Sequence, residues 1–252
     1  MDPIARRMTG SLAAVMGWSL CLAAPSSLSA DTLLLEDGFD IREESSWDPN
    51  ERLDRRQTGE LAPVRYDLDP ATGRSGEVGI REDALYLAQP ALVGNGIISG
   101  VFLDHDFSGL PGTEYRIAFD LTLDGTNTDT ARFTLSWDGS AEGVGNAQLA
   151  DGGLMVVADG RFLFASKHLK RMERLVDYVR DLRGETLSLA LEFDESRSEE
   201  VSLFLDGESI GSMPLIFGDD SHRTLCLRAV LKDGKDTESV SVRIDNLRVT
   251  AE

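Results

Sequence analysis

Residues 115–123 read Tyr-Arg-Ile-Ala-Phe-Asp-Leu-Thr-Leu, so every odd-numbered position from Tyr115 to Leu123 carries a large apolar side chain. Successive side chains of a β-strand point to opposite faces of the sheet, and this alternation therefore predicts a strand with one buried face. Several such segments end at an Asp-Gly pair, which favours a tight turn. The pattern returns at residues 133–137, 187–193, 201–205, 225–231 and 240–244. Short alternating strands separated by turns predict two packed antiparallel sheets.

The first third of the chain is less regular. Residues 42–77 are mostly polar and contain three prolines, which predicts a long excursion over the surface. Short apolar runs predict strands at residues 32–36, 64–68, 84–88 and 101–107. A turn at Glu82-Asp83 precedes the third of these strands.

One later segment departs from the strand pattern. Between Ser166 and Leu182 the apolar residues recur every three or four positions, as they do on one face of a helix. Ser166 is a suitable N-terminal cap and Gly184 follows the end, so the spacing predicts one short inserted helix. The other face of this helix would be basic and solvated; it carries Lys167, Lys170, Arg171 and Arg174.

The first thirty residues have the layout of a secretory signal peptide. Arg6 and Arg7 form a basic start, an apolar run extends from Leu12 to Ala24, and a cleavage site follows at Ala30. The apolar run is shorter than the ~20 residues that a membrane-spanning helix needs. We therefore expect a signal peptide at residues 1–30, a single domain at residues 31–252, and a mature protein that is secreted, periplasmic or on the cell surface.

The composition limits the partners and the covalent links. The chain has 25 basic and 44 acidic residues and a formal net charge of −19, so we expect it to repel nucleic acid and anionic membranes. Its two cysteines are Cys21, which leaves with the signal peptide, and Cys226. Cys226 therefore has no partner for an intrachain disulfide, and we expect it to serve as a small apolar side chain.

The two ends of the mature chain carry a family resemblance. Residues 33–40, Leu-Leu-Leu-Glu-Asp-Gly-Phe-Asp, with Trp47 a short distance on, resemble the opening of secreted bacterial concanavalin A-like domains. Residues 242–249 resemble the last strand of these domains, and residues 203–211 are similar to a hairpin of laminin-G-like modules. The resemblance implies a concanavalin A-like jelly-roll sandwich, a fold shared by laminin-G-like modules and family 16 glycoside hydrolases.

The resemblance also has consequences for the terminal strands. In related folds these strands lie side by side, and a nearby acidic residue often helps to hold a structural calcium ion. Glu36, Asp37 and Asp245 match those positions, and carboxylates are suitable calcium ligands. The apolar alternation changes parity after Ile244, which predicts a β-bulge at Asp245-Asn246. A second oxygen-rich loop, with a weaker case for calcium, contains Asp124, Asn127 and Asp129.

The sequence shows no catalytic set. Family 16 hydrolases carry the order Glu-x-Asp-x-x-Glu on one strand, and the nearest approach is residues 192–197, whose last position is Arg197. That departure removes the acid/base residue of the retaining mechanism. The three histidines lack metal-ligand spacing, and no nucleophile elbow or phosphate loop is present. We therefore expect a non-catalytic protein and keep an enzyme as an alternative.

A binding function has more candidates. Sugars bind where an exposed aromatic ring lies beside hydrogen-bonding side chains. The residues that fit by alternation, or by their place in the polar excursion, are Trp47, Tyr86, Phe102, Asp104, Asp120, Arg132 and Phe204. The sequence thus favours a secreted carbohydrate-binding or cell-surface module. The alternatives are a glycan-acting hydrolase with an unrecognised carboxylate pair and a structural envelope protein.

Overall fold

The computed structural model describes residues 31–40, 45–46, 57–62, 64–68, 76–90, 97–104, 114–138, 152–166, 169, 172–178, 180–194, 200–214, 224–231 and 237–251. All strand pairs among these residues are antiparallel. The predicted all-β sandwich of two antiparallel sheets is therefore confirmed.

The strands are numbered in chain order and divide into two sheets. Sheet 1 contains β1 (Thr32–Asp37), β2 (Ser45–Ser46), β4 (Glu77–Arg81), β5 (Ala84–Gln89), β7 (Glu114–Gly125), β12 (Thr186–Asp194), β13 (Glu200–Leu205), β14 (Glu208–Pro214) and β16 (Val240–Ala251). Sheet 2 contains β3 (Arg65–Leu68), β6 (Ile97–Asp104), β8 (Ala131–Asp138), β9 (Gly152–Val157), β10 (Arg161–Ala165), β11 (Glu173–Asp177) and β15 (Thr224–Leu231). Sheet 1 has the order β14-β13-β12-β7-β16-β5-β4-β2, and sheet 2 has the order β11-β10-β9-β8-β15-β6-β3.

Strand β16 organises sheet 1. One edge pairs with β7 along almost its whole length, and the other edge pairs first with β5 and then with β1. The register with β7 shifts between Asp245 and Arg248, and Asn246 has a φ of 51°. The predicted bulge and the side-by-side terminal strands are both confirmed. Because one extra residue changes the alternation, Leu247 and Val249 still point into the core.

The core lies between the two sheets and consists of the alternating residues that the sequence indicates. In β7 the side chains of Ile117, Phe119, Leu121 and Leu123 are all at most 5% exposed. Phe119 packs edge-to-face on Phe133 of sheet 2, with ring centroids 5.7 Å apart. Burial of this continuous apolar layer is the main stabilising contribution to the fold, since no disulfide is found in the described part of the chain.

The turns follow local chemistry. Glu82 and Asp83 adopt φ angles of 52° and 55° between β4 and β5, and Asp206 and Gly207 adopt 51° and 82° between β13 and β14. Two consecutive residues with φ angles in the left-handed region form a turn whose twist matches that of the flanking strands in a tight hairpin. The turn expected at Asp124-Gly125 begins later, because β7 continues through Gly125.

The predicted helix over residues 166–182 is wrong. Residues Glu173–Asp177 form strand β11, which pairs with β10 at the edge of sheet 2, and no described residue is helical. Beyond β11, the amide of Tyr178 donates a hydrogen bond of 3.0 Å to the carbonyl of Gly160. Pairing with β10 gives hydrogen-bond partners to the backbone N–H and C=O groups of this segment. Tertiary contacts therefore override the preference for a helix that the spacing of apolar residues indicates.

A buried polar network ties the polar excursion to the core. The carboxyl group of Asp37 is fully buried and accepts hydrogen bonds from the amide of Phe39, Nε2 of Gln57 and the hydroxyl of Tyr66 at 2.8, 3.1 and 3.0 Å. Gln57 in turn is fixed by two hydrogen bonds to the backbone of Val64. In the described part of the chain, no helix is long and apolar enough to cross a membrane.

Candidate functional site

A cleft of about 370 Å³ lies on the outer face of sheet 1, the face that points away from sheet 2. It runs across one end of four neighbouring strands, β4, β5, β16 and β7. Its lining residues are Glu77, Tyr86, Ala88, Gln89, Pro90, Asp124, Gly125, Thr126, Ser239, Val240 and Ser241. Hydroxyl, amide and carboxyl groups therefore surround one aromatic ring in this cleft.

The strand register explains the depth of the cleft. Glu77 pairs with Ala88, Ser241 pairs with Ala88 on the other side, and Ser241 also pairs with Asp124. Four residues thus form one row across the sheet, with the small side chains of Ala88 and Ser241 in the middle. The longer side chains of Glu77 and Asp124 stand at the two ends, three strand spacings or about 14 Å apart. Small residues form the floor and the two carboxyl groups form the walls.

Tyr86 lines the cleft two residues before Ala88 on the same face of β5. The guanidinium of Arg81 lies 4.3 Å from the centre of the Tyr86 ring and also forms an ion pair of 2.8 Å with Glu77. This cation–π contact holds the ring in a fixed orientation. A preformed aromatic ring beside polar groups is the arrangement that binds the apolar face of a sugar.

The far end of the cleft is held by backbone and side-chain hydrogen bonds. The amide of Thr126 donates to the carbonyl of Ser239 at 3.1 Å, and the amide of Ser239 donates to the Thr126 hydroxyl at 2.7 Å. Arg183 donates to the carbonyl of Gly125 at 3.2 Å and is itself held by Asp181. Hydrogen bonds from Arg183 lower the pKa of Asp181 to about 2. The cleft is therefore largely preformed.

The structure divides the predicted ligand-binding residues between the two sheets. Tyr86, Asp120 and Phe204 lie on the outer face of sheet 1, and Tyr86 is the one that lines the cleft. Phe204 lies four strand spacings from Tyr86, about 19 Å measured across the sheet, and has Arg116 at 5.4 Å from its ring centre. Phe102 and Asp104 belong to β6 and Arg132 to β8, both in sheet 2. Trp47 lies outside the described residues.

Asp120 and Asp245 lie directly opposite each other on neighbouring strands. Asp120 accepts hydrogen bonds from the Ser188 hydroxyl at 2.5 Å and from Nδ2 of Asn246 at 2.8 Å. Partial burial raises the pKa of Asp245, as do the neighbouring carboxyl groups of Asp120, Asp40 and Asp83. The predicted ligand residue Asp120 and the predicted metal ligand Asp245 thus form a carboxyl pair.

The outer face of sheet 2 is polar yet buried. Arg132, Thr134 and Ser136 alternate with core residues along β8 and are at most 9% exposed. In the neighbouring strand β15, Cys226 pairs with Ser136 and Arg228 pairs with Thr134, and both are also buried. Burial of Cys226 agrees with its predicted role as a small apolar side chain.

The three predicted calcium ligands do not fit a single ion. Asp37 points into the protein and its oxygens accept three hydrogen bonds, whereas the neighbouring Glu36 is exposed and bonds Thr58 at 3.3 Å. In the second oxygen-rich loop, Oδ1 of Asn127 accepts from the amide of Asp129 at 3.0 Å. Among the described residues, no group of three or more His, Cys, Asp or Glu side chains is placed to hold a metal ion. Calcium binding stays a prediction.

Sequence reasoning missed Glu77 and Ser241 as site residues and assigned Asp124 to a different role. Each alternates outward on its strand, which is visible in the sequence. Their placement in one row depends on the pairing of four strands from distant parts of the chain, which the sequence pattern does not give.

Comparisons with solved structures agree with this architecture. One similar structure is described as "Prominent members of the human gut microbiota express endo-acting O-glycanases to initiate mucin breakdown"; the TM-score is 0.56 at 14% identity, covering 88% of this chain and 99% of that one. The carbohydrate recognition domain of Emp46p, in a potassium-bound form, has a TM-score of 0.52 at 11% identity, covering 73% of this chain and 87% of that one. A sialidase has a TM-score of 0.52 at 14% identity over 74% of this chain, which spans 17% of the sialidase.

The sequence itself matches no protein-family model and no curated protein. The structural similarities show the fold: this chain shares its two-sheet antiparallel β-sandwich with these solved structures.

Proposed function

We propose that this protein is a secreted, non-catalytic carbohydrate-binding module, and that the cleft around Tyr86 is its glycan site. The observation that carries the proposal is the cleft itself, in which one oriented aromatic ring lies among hydroxyl and carboxyl groups. The descriptions of a carbohydrate recognition domain and a sialidase among the similar structures support a role with glycans. Export through residues 1–30 would place the module outside the cytoplasm, where such glycans occur.

The chemistry of the cleft suits an oligosaccharide. A pyranose ring has one apolar C–H face and a rim of hydroxyl groups, so it needs an aromatic contact and several hydrogen-bonding partners at once. Tyr86 supplies the aromatic contact, and Glu77, Asp124 and Ser241 supply partners at the walls and the floor. The open trough between β4 and β7 leaves room for a chain of sugars.

A matched pair of variants tests the proposal. A glycan array on the mature protein identifies a ligand, and calorimetry then compares Tyr86→Ala with Phe204→Ala. Both residues are aromatic, lie on the outer face of sheet 1 and have an arginine over the ring, but Phe204 is outside the cleft. We expect at least a tenfold loss of affinity for Tyr86→Ala, in the range of one stacking contact, and little change for Phe204→Ala.

Two results would contradict the proposal. Equal losses in the two variants would place the glycan elsewhere. An array without any bound glycan would favour the third candidate, a structural envelope protein that binds no sugar.

A glycan-acting hydrolase is the second candidate, and the Asp120–Asp245 pair favours it. Directly opposed residues of an antiparallel pair have Cβ atoms about 5 Å apart, and the carboxyl groups of a retaining glycosidase are separated by about the same distance. A carboxyl group with a raised pKa beside a second, hydrogen-bonded carboxyl group is also how glycosidases arrange acid and nucleophile. The pair lies outside the cleft residues, so the binding function is preferred.

Release of reducing ends from the bound glycan distinguishes the two candidates. A binding module releases none. If sugar is released, Asp245→Asn should abolish the release while Glu173→Gln, at an exposed position of β11 in the other sheet, should retain it. Release that survives Asp245→Asn would exclude this pair as the catalytic one.

A further inference from the structure

The cleft has a definite charge. Two of its lining residues, Glu77 and Asp124, are acidic, and none of the described lining residues is basic. The carboxyl groups stand on opposite walls; Glu77 is ion-paired with Arg81, so the wall at Asp124 presents the negative charge to a ligand lying on Ala88 and Ser241. The sign of the ligand's charge therefore matters for binding.

The nearby cations have other partners. Arg81 forms an ion pair with Glu77 and lies over Tyr86, while Arg183 binds Asp181 through two nitrogens and the carbonyl of Gly125. Asp124 accepts a hydrogen bond of 2.7 Å from the amide of Gly125 and lies within electrostatic range of Arg183, whose ion pair in the described part of the chain is with Asp181. Asp124 is exposed, so its charge remains available to a ligand.

We propose that the cleft selects glycans by charge: it binds chains of amino sugars, whose ammonium group lies against Asp124, and rejects chains of uronic, sialic or sulfated sugars. This inference rests on the proposed glycan-binding function and adds the chemical class of the ligand. An ammonium group donates charge-assisted hydrogen bonds to a carboxylate, and a ligand carboxylate in the same place meets the like charge of Asp124. The net charge of −19 acts in the same direction over longer distances.

Three hexasaccharides of equal length test the inference by calorimetry: a glucosamine hexamer, its N-acetylated neutral counterpart, and an oligouronate. The measurement uses the mature protein at a pH where the amines are protonated. We expect the amine form to bind at least tenfold more tightly than the acetylated form, and the oligouronate to show no saturable binding.

Variants that each remove one negative charge show whether the amine is attracted by the cleft or by the general acidity of the protein. Asp124→Asn should lower the affinity for the amine form at least fivefold and leave the acetylated form unchanged. Glu208→Gln removes one negative charge from an exposed position on β14, at the other side of sheet 1, and should change neither. Equal losses in the two variants would show that only the overall charge attracts the amine, which would overturn the inference.

The two proposals fail in different ways. If all three sugars bind equally and depend on Tyr86, glycan binding stands and charge selection is wrong. If the oligouronate binds best, the inference is also wrong while the binding function stands. If none of the three binds and the glycan array is empty as well, both proposals are wrong.

Discussion

Replacement of Asp37 by asparagine tests the buried network that joins the polar excursion to the core. The carboxyl group is fully buried and accepts from Phe39, Gln57 and Tyr66. Asparagine keeps the shape and one oxygen, which can still accept from the amide of Phe39. Its other terminal atom becomes a donor and then faces the donor Nε2 of Gln57. Gln57 cannot rotate its amide to compensate, because both ends bind the backbone of Val64.

The magnitude follows from the contacts that are lost. The hydrogen bond from Gln57 is removed, and the Tyr66 hydroxyl must turn to accept from the new amide, which replaces a bond to a charged group by a weaker neutral one. A hydrogen bond to a charged group contributes about 1.5–3 kcal/mol and a neutral one about 0.5–1.5 kcal/mol. The lower desolvation penalty of a neutral amide offsets part of that loss. We expect Asp37→Asn to lower the free energy of unfolding by about 3 kcal/mol, since one lost hydrogen bond and one weakened hydrogen bond set the scale. For a domain of this size, that loss lowers the melting temperature by about 6–12 °C.

Urea unfolding and thermal melting measure the effect, with Tyr66→Phe as the control. Tyr66→Phe removes one of the two hydrogen bonds and keeps the buried ring, so about half of the loss is expected. A chelator added to the wild type separates this network from calcium, because the hydrogen bonds do not depend on a metal. An Asp37→Asn variant as stable as the wild type would refute the reasoning. A wild-type melting temperature that falls with chelator would show instead that Asp37 is stabilised through a metal ion.

Three further predictions concern single side chains. Because the pKa of Asp245 is raised in the folded protein, folding favours the protonated side chain. This contribution to the free energy of unfolding is present below the unfolded pKa, near 3.8, and is lost as the pH rises through the folded pKa. Asp245→Asn should therefore melt higher than the wild type at neutral pH, and the difference should vanish on acidification below 3.8 in parallel melting curves. Arg183→Ala should raise the pKa of Asp181 from about 2 towards 3.8 in an NMR titration, and an unchanged pKa would exclude Arg183 as the cause. Gly152→Ala should destabilise by about 1–3 kcal/mol, because the added carbon would lie 2.4 Å from the Trp137 ring, and an unchanged urea midpoint and tryptophan emission would contradict that packing.

The sequence predicts the layers of this fold well because burial imposes a local pattern. In β7, the inward side chains from Ile117 to Leu123 are those that alternation indicates. The bulge at Asn246 was also predictable, because one extra residue changes the parity of the apolar positions that follow. Local patterns of this kind survive folding because each depends on a single strand.

The errors arise where the pairing of distant strands decides the structure. Residues 173–177 have helical spacing but join the edge of sheet 2, since β10 offers them a strand partner. The sequence predicts that Tyr86 and Phe102 both face outward, yet their strands belong to opposite sheets. The sequence does not show which aromatic residue lies near the row of Glu77 and Asp124. The sequence therefore indicates which types of residue form the candidate site, but not which individual residues come together in it.

The position of β16 sets the order in which this protein can complete its fold. Strand β16 joins β7 on one side to β5 and β1 on the other, although these partners come from much earlier in the chain. During synthesis, β1, β5 and β7 therefore each lack one strand partner until residues 240–251 have been made. The pairings of these strands with β16 span a long stretch of sequence, and pairings of this kind form slowly. Open strand edges are where chains aggregate, so a nascent chain kept unfolded until β16 is available would be less exposed to aggregation.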